Sequence, residues 1–144
     1  MAQRDWVREH IQRYRESNGE EGHIWAGVDG KQSLPCLLLT TTGRRSGETH
    51  TTPLIYGRDG DRHVIVASRG GSVGHPLWYR NLAEHPEVEL QVGADRFQAR
   101  ARTAEGEERT ALWQLMAGIF PTYDDYHEKA KAHREIPVVV LDRA

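Results

Sequence analysis

A chain of 144 residues with 38% apolar side chains has the length of one domain, enough to bury a real core. A formal charge of −2 excludes bulk attraction to nucleic acid, and a single cysteine excludes an internal disulfide and a thiolate metal cage. No run approaches the roughly 18 apolar residues that span a bilayer, and the opening MAQRDWVREH is charged from Arg4 and lacks a leader's apolar stretch. The expected compartment is the cytoplasm.

In chain order, Trp6, Val7, His10, Ile11 and Tyr14 recur at helical spacing, with Arg4, Arg8, Arg13 and Arg15 between them. Ser17-Asn18-Gly19 stops this N-terminal helix, expected over 1–18. Its apolar stripe can dock on the rest of the protein, or its basic face can rest on an anionic membrane surface. Residues 19–33 are glycine-rich and read as a loop. Pro35 to Thr42, Thr51 to Tyr56 and His63 to Ser68 read as strands, with Asp59-Gly60 as a hairpin signal. The last is continuously apolar, which points to a central position. Pro76 to Glu84 reads as a short helix with proline in its first turn. Val88, Leu90 and Val92, then Phe97, Ala99 and Ala101, alternate with polar residues and form a hairpin with one wet face. Glu105 to Ile119 is helical, and Thr122 to Asp125 has capping-box spacing for another helix. Ile136 to Leu141 closes the chain as a strand. About six short antiparallel strands with flanking helices and no βαβ alternation define an α+β fold, mainly β, built as a split β-barrel. The whole of 1–144 is then one domain, with the barrel over 34–142.

The loop Thr42-Gly43-Arg44-Arg45-Ser46-Gly47 joins two strands. Its glycines permit positive φ, so that backbone N–H groups can form an anion nest, and Arg44 and Arg45 add charge-assisted donors. The competing reading is a solvated hairpin tip. Ala67-Ser68-Arg69-Gly70-Gly71 offers a second hydroxyl, guanidinium and glycine pair. If the two loops meet, three arginines converge on one anion. Trp78 and Asn81 then share a helix face and offer a ring and an amide to a flat polar ligand, although Trp78 serves equally well as a core anchor. Tyr123 and Tyr126, one turn apart, either wall a pocket with their phenols or form a packing stripe. Cys36 reads as a buried small hydrophobe rather than a reactive thiol. The scattered histidines give no metal-ligand spacing, and no nucleophile elbow occurs.

The blocks LLLTTTGRRSG, TPLIY, VIVASRGG, HPLWYRNL, PTYDDY and IPVVVL, in this order from Leu34 to Leu141, resemble the deazaflavin-dependent nitroreductase family of flavin/deazaflavin oxidoreductases. The resemblance implies a split barrel binding coenzyme F420. It places the cofactor's phosphate at Arg44, Arg45, Ser46 and Arg69, among the glycines Gly43, Gly47, Gly70 and Gly71. It places Pro53, Leu54, Tyr56, Ala67 and Ser68 by the deazaflavin ring, and Leu77, Trp78 and Asn81 on the adjacent helix. Tyr123 and Tyr126 would shape the acceptor site, with Ser68 or a phenol bonding the acceptor's oxygen. Two positions depart from the pattern. His50 stands where relatives often carry arginine, and Phe120 replaces a third tyrosine, which puts nitroimidazole reduction in doubt.

The expected activity is hydride transfer from the reduced deazaflavin to a quinone, enone or nitro compound. The alternatives are an FMN-dependent split-barrel enzyme and a non-catalytic protein binding the deazaflavin or a lipid-like ligand. A homodimer and peripheral membrane contact through the first helix are further expectations.

Overall fold

The computed structural model describes residues 2–27 and 30–144, with side chains from Trp6 onward. Arg4 therefore falls outside the described side chains. Helix α1 (Ala2–Glu16) leads to β1 (Ile24–Trp25), β2 (Leu34–Thr42), β3 (Thr49–Ile55), β4 (Gly57–Asp59) and β5 (Arg62–Val66). A single 3-10 turn (Arg69–Gly71) and α2 (Leu77–Glu84) precede β6 (Glu87–Val92) and β7 (Asp95–Thr103). Helices α3 (Gly106–Ile119) and α4 (Thr122–Ala130) and strand β8 (Val138–Arg143) complete the order. The strands pair antiparallel in the order β1-β2-β6-β7-β8-β5-β4, with β3 on the other side of β2. The sheet curls into a half-barrel flanked by helices, the split-barrel α+β fold.

Strands β5 and β8 show why the sheet is stable. Along β5 and just past it, Ile65 and Ala67 enter one core with Leu37, Leu90 and Trp78, while Val64 and Val66 enter a second with Leu112 and Met116. In β8, Val139 and Leu141 join the first core, and Val138 and Val140 the second. Both faces are dry, so the sequence is apolar throughout. This corrects the expectation of a central β5: it lies one strand in from the β4 edge, and its continuous apolar run records two cores rather than a central place. The β6–β7 hairpin, by contrast, buries one face, and its alternation follows.

Two other expectations change. Residues 19–33 contain β1, whose Ile24 and Trp25 pair with Pro35 and Leu34, a ladder too short to leave a periodic signal. The capping box before α4 does not form. Pro121 holds the cap position without a side-chain bond, and Asp124 instead accepts the Trp113 indole N–H at 2.8 Å.

Helix α1 docks through Tyr14, which is fully buried. The Tyr14 hydroxyl lies within donating distance of the Cys36 carbonyl (2.9 Å) and the Gln91 carbonyl (3.2 Å), and accepts the Gly93 N–H at 2.8 Å. At the turn after the helix, Gly19 has φ +85°, and a Cβ there would lie 2.3 Å from the Gly93 Cα. Only glycine fits that approach. Among the described residues, no helix is long and apolar enough to cross a membrane.

Candidate active site

A cleft of about 390 Å³ opens between β3, the loop after β5, α2 and the α3–α4 corner. Pro53 and Leu54 come from β3, Ser68, Arg69 and Gly70 from the loop, Trp78 from α2, and Phe120, Tyr123 and Tyr126 from the corner. A fifth side comes from the N-terminal segment through Trp6, Val7, His10 and Trp25. Most of these side chains are apolar, which suits a flat organic ring with few polar edges.

The loop after β5 has an unusual backbone. Ser68 is right-handed (φ −76°, ψ −37°), and Arg69 (φ 44°), Gly70 (φ 62°) and Gly71 (φ 77°) are all left-handed. A right-handed residue followed by a left-handed one turns successive N–H groups toward one side, the geometry of an anion nest. For Arg69 the left-handed region costs roughly 1–2 kcal/mol, strain of the kind that gathers at binding sites. A Cβ at Gly70 would meet nothing within 4 Å, so the concavity is open. Gly71 has a different role: a Cβ there would lie 3.0 Å from the Tyr126 Cα and carbonyl oxygen. The loop and α4 touch backbone to backbone, which carries Tyr126 up to the cleft.

Behind this loop lies Arg134, a residue that no local pattern marks. Its Nε donates to the Ser72 carbonyl (2.9 Å), Nη1 to the Ala67 carbonyl (3.1 Å) and to His75 Nδ1 (3.0 Å), and Nη2 to the Ser68 carbonyl (2.7 Å). His75 must therefore present an unprotonated Nδ1. Burial and the neighbouring Arg134 and Arg80 hold its pKa below the usual histidine value, which favours that state.

The first loop closes on itself through Gly43 N–H to Glu48 O (2.7 Å) and Gly47 N–H to Gly43 O (3.0 Å). Gly47 is left-handed (φ 74°), but Gly43 is not. At Gly43 the constraint is space, since a Cβ would sit 2.7 Å from Ser46 Oγ and 3.2 Å from His50 Nε2. Asn81 is buried and bonds through both ends of its amide: Oδ1 accepts the Arg44 N–H (3.2 Å) and Nδ2 donates to Thr41 Oγ1 (3.2 Å). It ties the first arginine loop to α2. Arg44 Nε is buried without a hydrogen-bond partner among the described residues, and neither Arg44 nor Arg45 has an ion pair there.

Among the other expected residues, Tyr56 lies in the barrel core with its hydroxyl 2.9 Å from His23 Nε2. Ala67 is also core, and the Leu77 side chain is exposed outside the cleft lining. Helix α2 bridges the two arginine loops, because Asn81 holds Arg44 while Arg69 Nη1 and Arg80 Nη2 both approach Gly74. Phe120, Tyr123 and Tyr126 form an aromatic triangle with ring centroids 5.0–6.4 Å apart. Burial pushes the Tyr123 phenol well above its usual value, so it stays a hydrogen-bond donor. Burial likewise pushes the Cys36 thiol up to about 12, so it is not a thiolate at neutral pH. Among the described residues, no three His, Cys, Asp or Glu side chains could hold a metal ion.

Trp6, Val7, His10 and Trp25 carry no signal of cleft lining in the sequence, because helical spacing says which face is apolar but not what it covers. The antiparallel half-barrel, the apolar slot and the nest at its end together describe a cofactor-binding split-barrel oxidoreductase. The chain belongs to the F420H(2)-dependent quinone reductase family, whose sequence pattern it matches over residues 6–143. It is 40% identical over 140 residues to an F420H(2)-dependent quinone reductase of Mycobacterium tuberculosis, a match covering 95% of this chain and 89% of that one. A solved F420-H2 dependent reductase superposes with a TM-score of 0.69 at 38% identity, over 75% of this chain and 94% of that one. A domain-swapped dimer superposes with a TM-score of 0.71 at 36% identity, over 96% and 98%.

The protein is thus an oxidoreductase whose cofactor is coenzyme F420, and it transfers a hydride to a small organic acceptor. The residues fit a cofactor with a phosphate: the nest is open over Gly70, and Arg44 Nε is a buried donor that still lacks an acceptor.

Proposed function

We propose that the acceptor is a quinone, that it lies flat in the cleft under Tyr123 and Tyr126 with Pro53 and Trp78 on the cofactor's side, and that Ser68 and Tyr126 bond its oxygen. The observation that carries this reading is the cleft itself, mostly apolar along its walls, with hydroxyl residues at Thr52 on β3, Ser68 on the loop and Tyr123 and Tyr126 on α4. Arg44, Arg45, Ser46 and Arg69, with the N–H groups of residues 68–70, would hold the cofactor's phosphate. When bound, the reduced form of coenzyme F420 would supply a hydride and become oxidised. Quinone, hydride and one proton together make the hydroquinone. The chain's part is to orient the acceptor, to exclude water with the Trp6–Trp25 wall, and to donate to the oxygen on which charge develops. Ser68 Oγ has no partner among the described residues and is free for this. Tyr123, too buried to ionise, shapes the wall and keeps its proton. Enones would fit the same slot, and Phe120 in the aromatic triangle favours a flat apolar acceptor over a nitro compound.

The test is F420H2 oxidation with a small naphthoquinone. Saturable turnover is expected, with Ser68→Ala and Tyr126→Phe each lowering kcat about 10- to 100-fold while cofactor affinity stays within about twofold. Unchanged kcat in both variants would remove their assigned roles. Cofactor binding without turnover on any quinone would sink the acceptor assignment.

A homodimer and contact with a membrane surface through α1 remain part of this reading. Exposed Trp6 and Ile24 beside a basic helix support the contact, and the domain-swapped relative supports the dimer. Sedimentation with and without anionic liposomes reads both, and a monomer that ignores the liposomes would end both.

A further inference from the structure

We propose that Arg134 is a positioning residue for cofactor binding: without touching the cofactor, it holds the Ser68–Gly70 nest in its anion-binding shape. The inference rests on the reading that this nest takes the phosphate.

The geometry carries the argument. All three guanidinium nitrogens of Arg134 are engaged, and every partner belongs to the one loop, residues 67–75. Three of those partners are backbone carbonyls. A peptide whose carbonyl is pinned to one side presents its N–H to the other, so fixing the carbonyls of Ala67 and Ser68 aims the N–H groups of Ser68 and Arg69 away from Arg134. Within the loop itself, two backbone bonds brace the turn, Gly71 N–H to Ser68 O (2.8 Å) and Ser72 N–H to Arg69 O (3.2 Å), and the Ser72 hydroxyl donates to the Gly74 carbonyl (3.0 Å). These bonds must hold three successive left-handed residues, one of them a strained arginine. The Arg134 fork adds three further bonds, to the carbonyls of Ala67, Ser68 and Ser72.

Arg134 is itself well placed to be rigid. It follows the end of α4, where its own N–H donates to the Ala130 carbonyl at 3.0 Å. Three residues later the Pro137 carbonyl accepts the Ala67 N–H at 2.9 Å. The strand that closes the barrel and the clamp that shapes the nest are therefore one continuous segment. Arg69 lies close enough to lower the Arg134 pKa, and Arg134 forms no ion pair among the described residues. Its charge thus adds to the positive potential of the nest from behind. Lysine could keep that charge but could not satisfy four acceptors from one compact ammonium.

The experiment is equilibrium binding of oxidised coenzyme F420, followed by tryptophan fluorescence, to Arg134→Ala, Arg134→Lys and, as the control for the nest, Arg69→Ala. Arg134→Ala is expected to raise Kd at least tenfold and Arg134→Lys to recover little of that. Added guanidinium at millimolar concentration is expected to restore much of the affinity of Arg134→Ala and none of the affinity of Arg69→Ala. A Kd within twofold of wild type in both Arg134 variants, with Arg69→Ala weakened, would overturn the inference alone. Wild-type affinity in all three would overturn the nest reading on which it rests. Should Arg134→Ala fail to fold, a folded Arg134→Lys with wild-type Kd still overturns the clamp.

Discussion

Arg44→Ala combined with Arg69→Ala is expected to weaken coenzyme F420 binding by at least about 100-fold. A charge-assisted hydrogen bond contributes roughly 1.5–3 kcal/mol, so each arginine alone accounts for about 10-fold or more. Loss of structure can be told apart from loss of contact here, because the two arginines cost the free protein something. Arg69 occupies a left-handed backbone (φ 44°), and Arg44 Nε is buried without a partner. Arg69→Gly removes the side chain and the strain together. Its melting temperature should match or exceed that of the wild type while its affinity falls, a pairing of signs that a damaged fold cannot give. Binding is read by titration and stability by thermal melting. An Arg69→Gly protein that melts several degrees lower and binds normally would show that the arginine serves the loop and not the ligand.

The largest effect on stability is expected at Gly19. A Cβ there falls 2.3 Å from the Gly93 Cα, with backbone on both sides and φ at +85°. The left-handed penalty of roughly 1–2 kcal/mol and an overpacking cost of roughly 1–3 kcal/mol add to several kcal/mol. For a chain of this length that is about 10 °C in melting temperature. The functional consequence is selective. Gly19 and Tyr14 hold α1 against the β6–β7 turn, and α1 supplies Trp6, Val7 and His10 to the cleft. KM for the quinone should therefore rise in Gly19→Ala, whereas cofactor affinity, set by two loops elsewhere, should change little. A melting temperature within about 2 °C of wild type would contradict the close approach described here.

The parts of the fold legible in the sequence were those whose cause is local. The β6–β7 hairpin is written in alternating residues because one face is wet, and α1 in its Trp6–Tyr14 spacing. The depth of β5 in the sheet was not legible, because an apolar run reports dry faces and not neighbours. In the site, the cleft-lining Pro53, Ser68, Arg69, Trp78, Tyr123 and Tyr126 all lie in blocks that carry the family resemblance. That resemblance begins at Leu34, so the wall formed by Trp6, His10 and Trp25 lay outside it. The bonds of Asn81 to Arg44 and Thr41 were not legible, since spacing places a side chain on a face but does not say which atoms already bond there. Arg134 was invisible for a plainer reason: its acceptors lie 59 to 67 residues away along the chain.

The sharing of β5 and β8 between two cores also bears on how the protein folds. Val66 pairs with Val138, about seventy residues further along, and neither core can close before that pairing forms. Such a distant contact is entropically costly to make first, so folding should be slow for a chain of this size. Once made, it leaves neither half able to open alone. The most protected amides in hydrogen exchange should then be those of the β5–β8 ladder, at the level of global unfolding, and the cleft should hold its shape until the whole molecule melts.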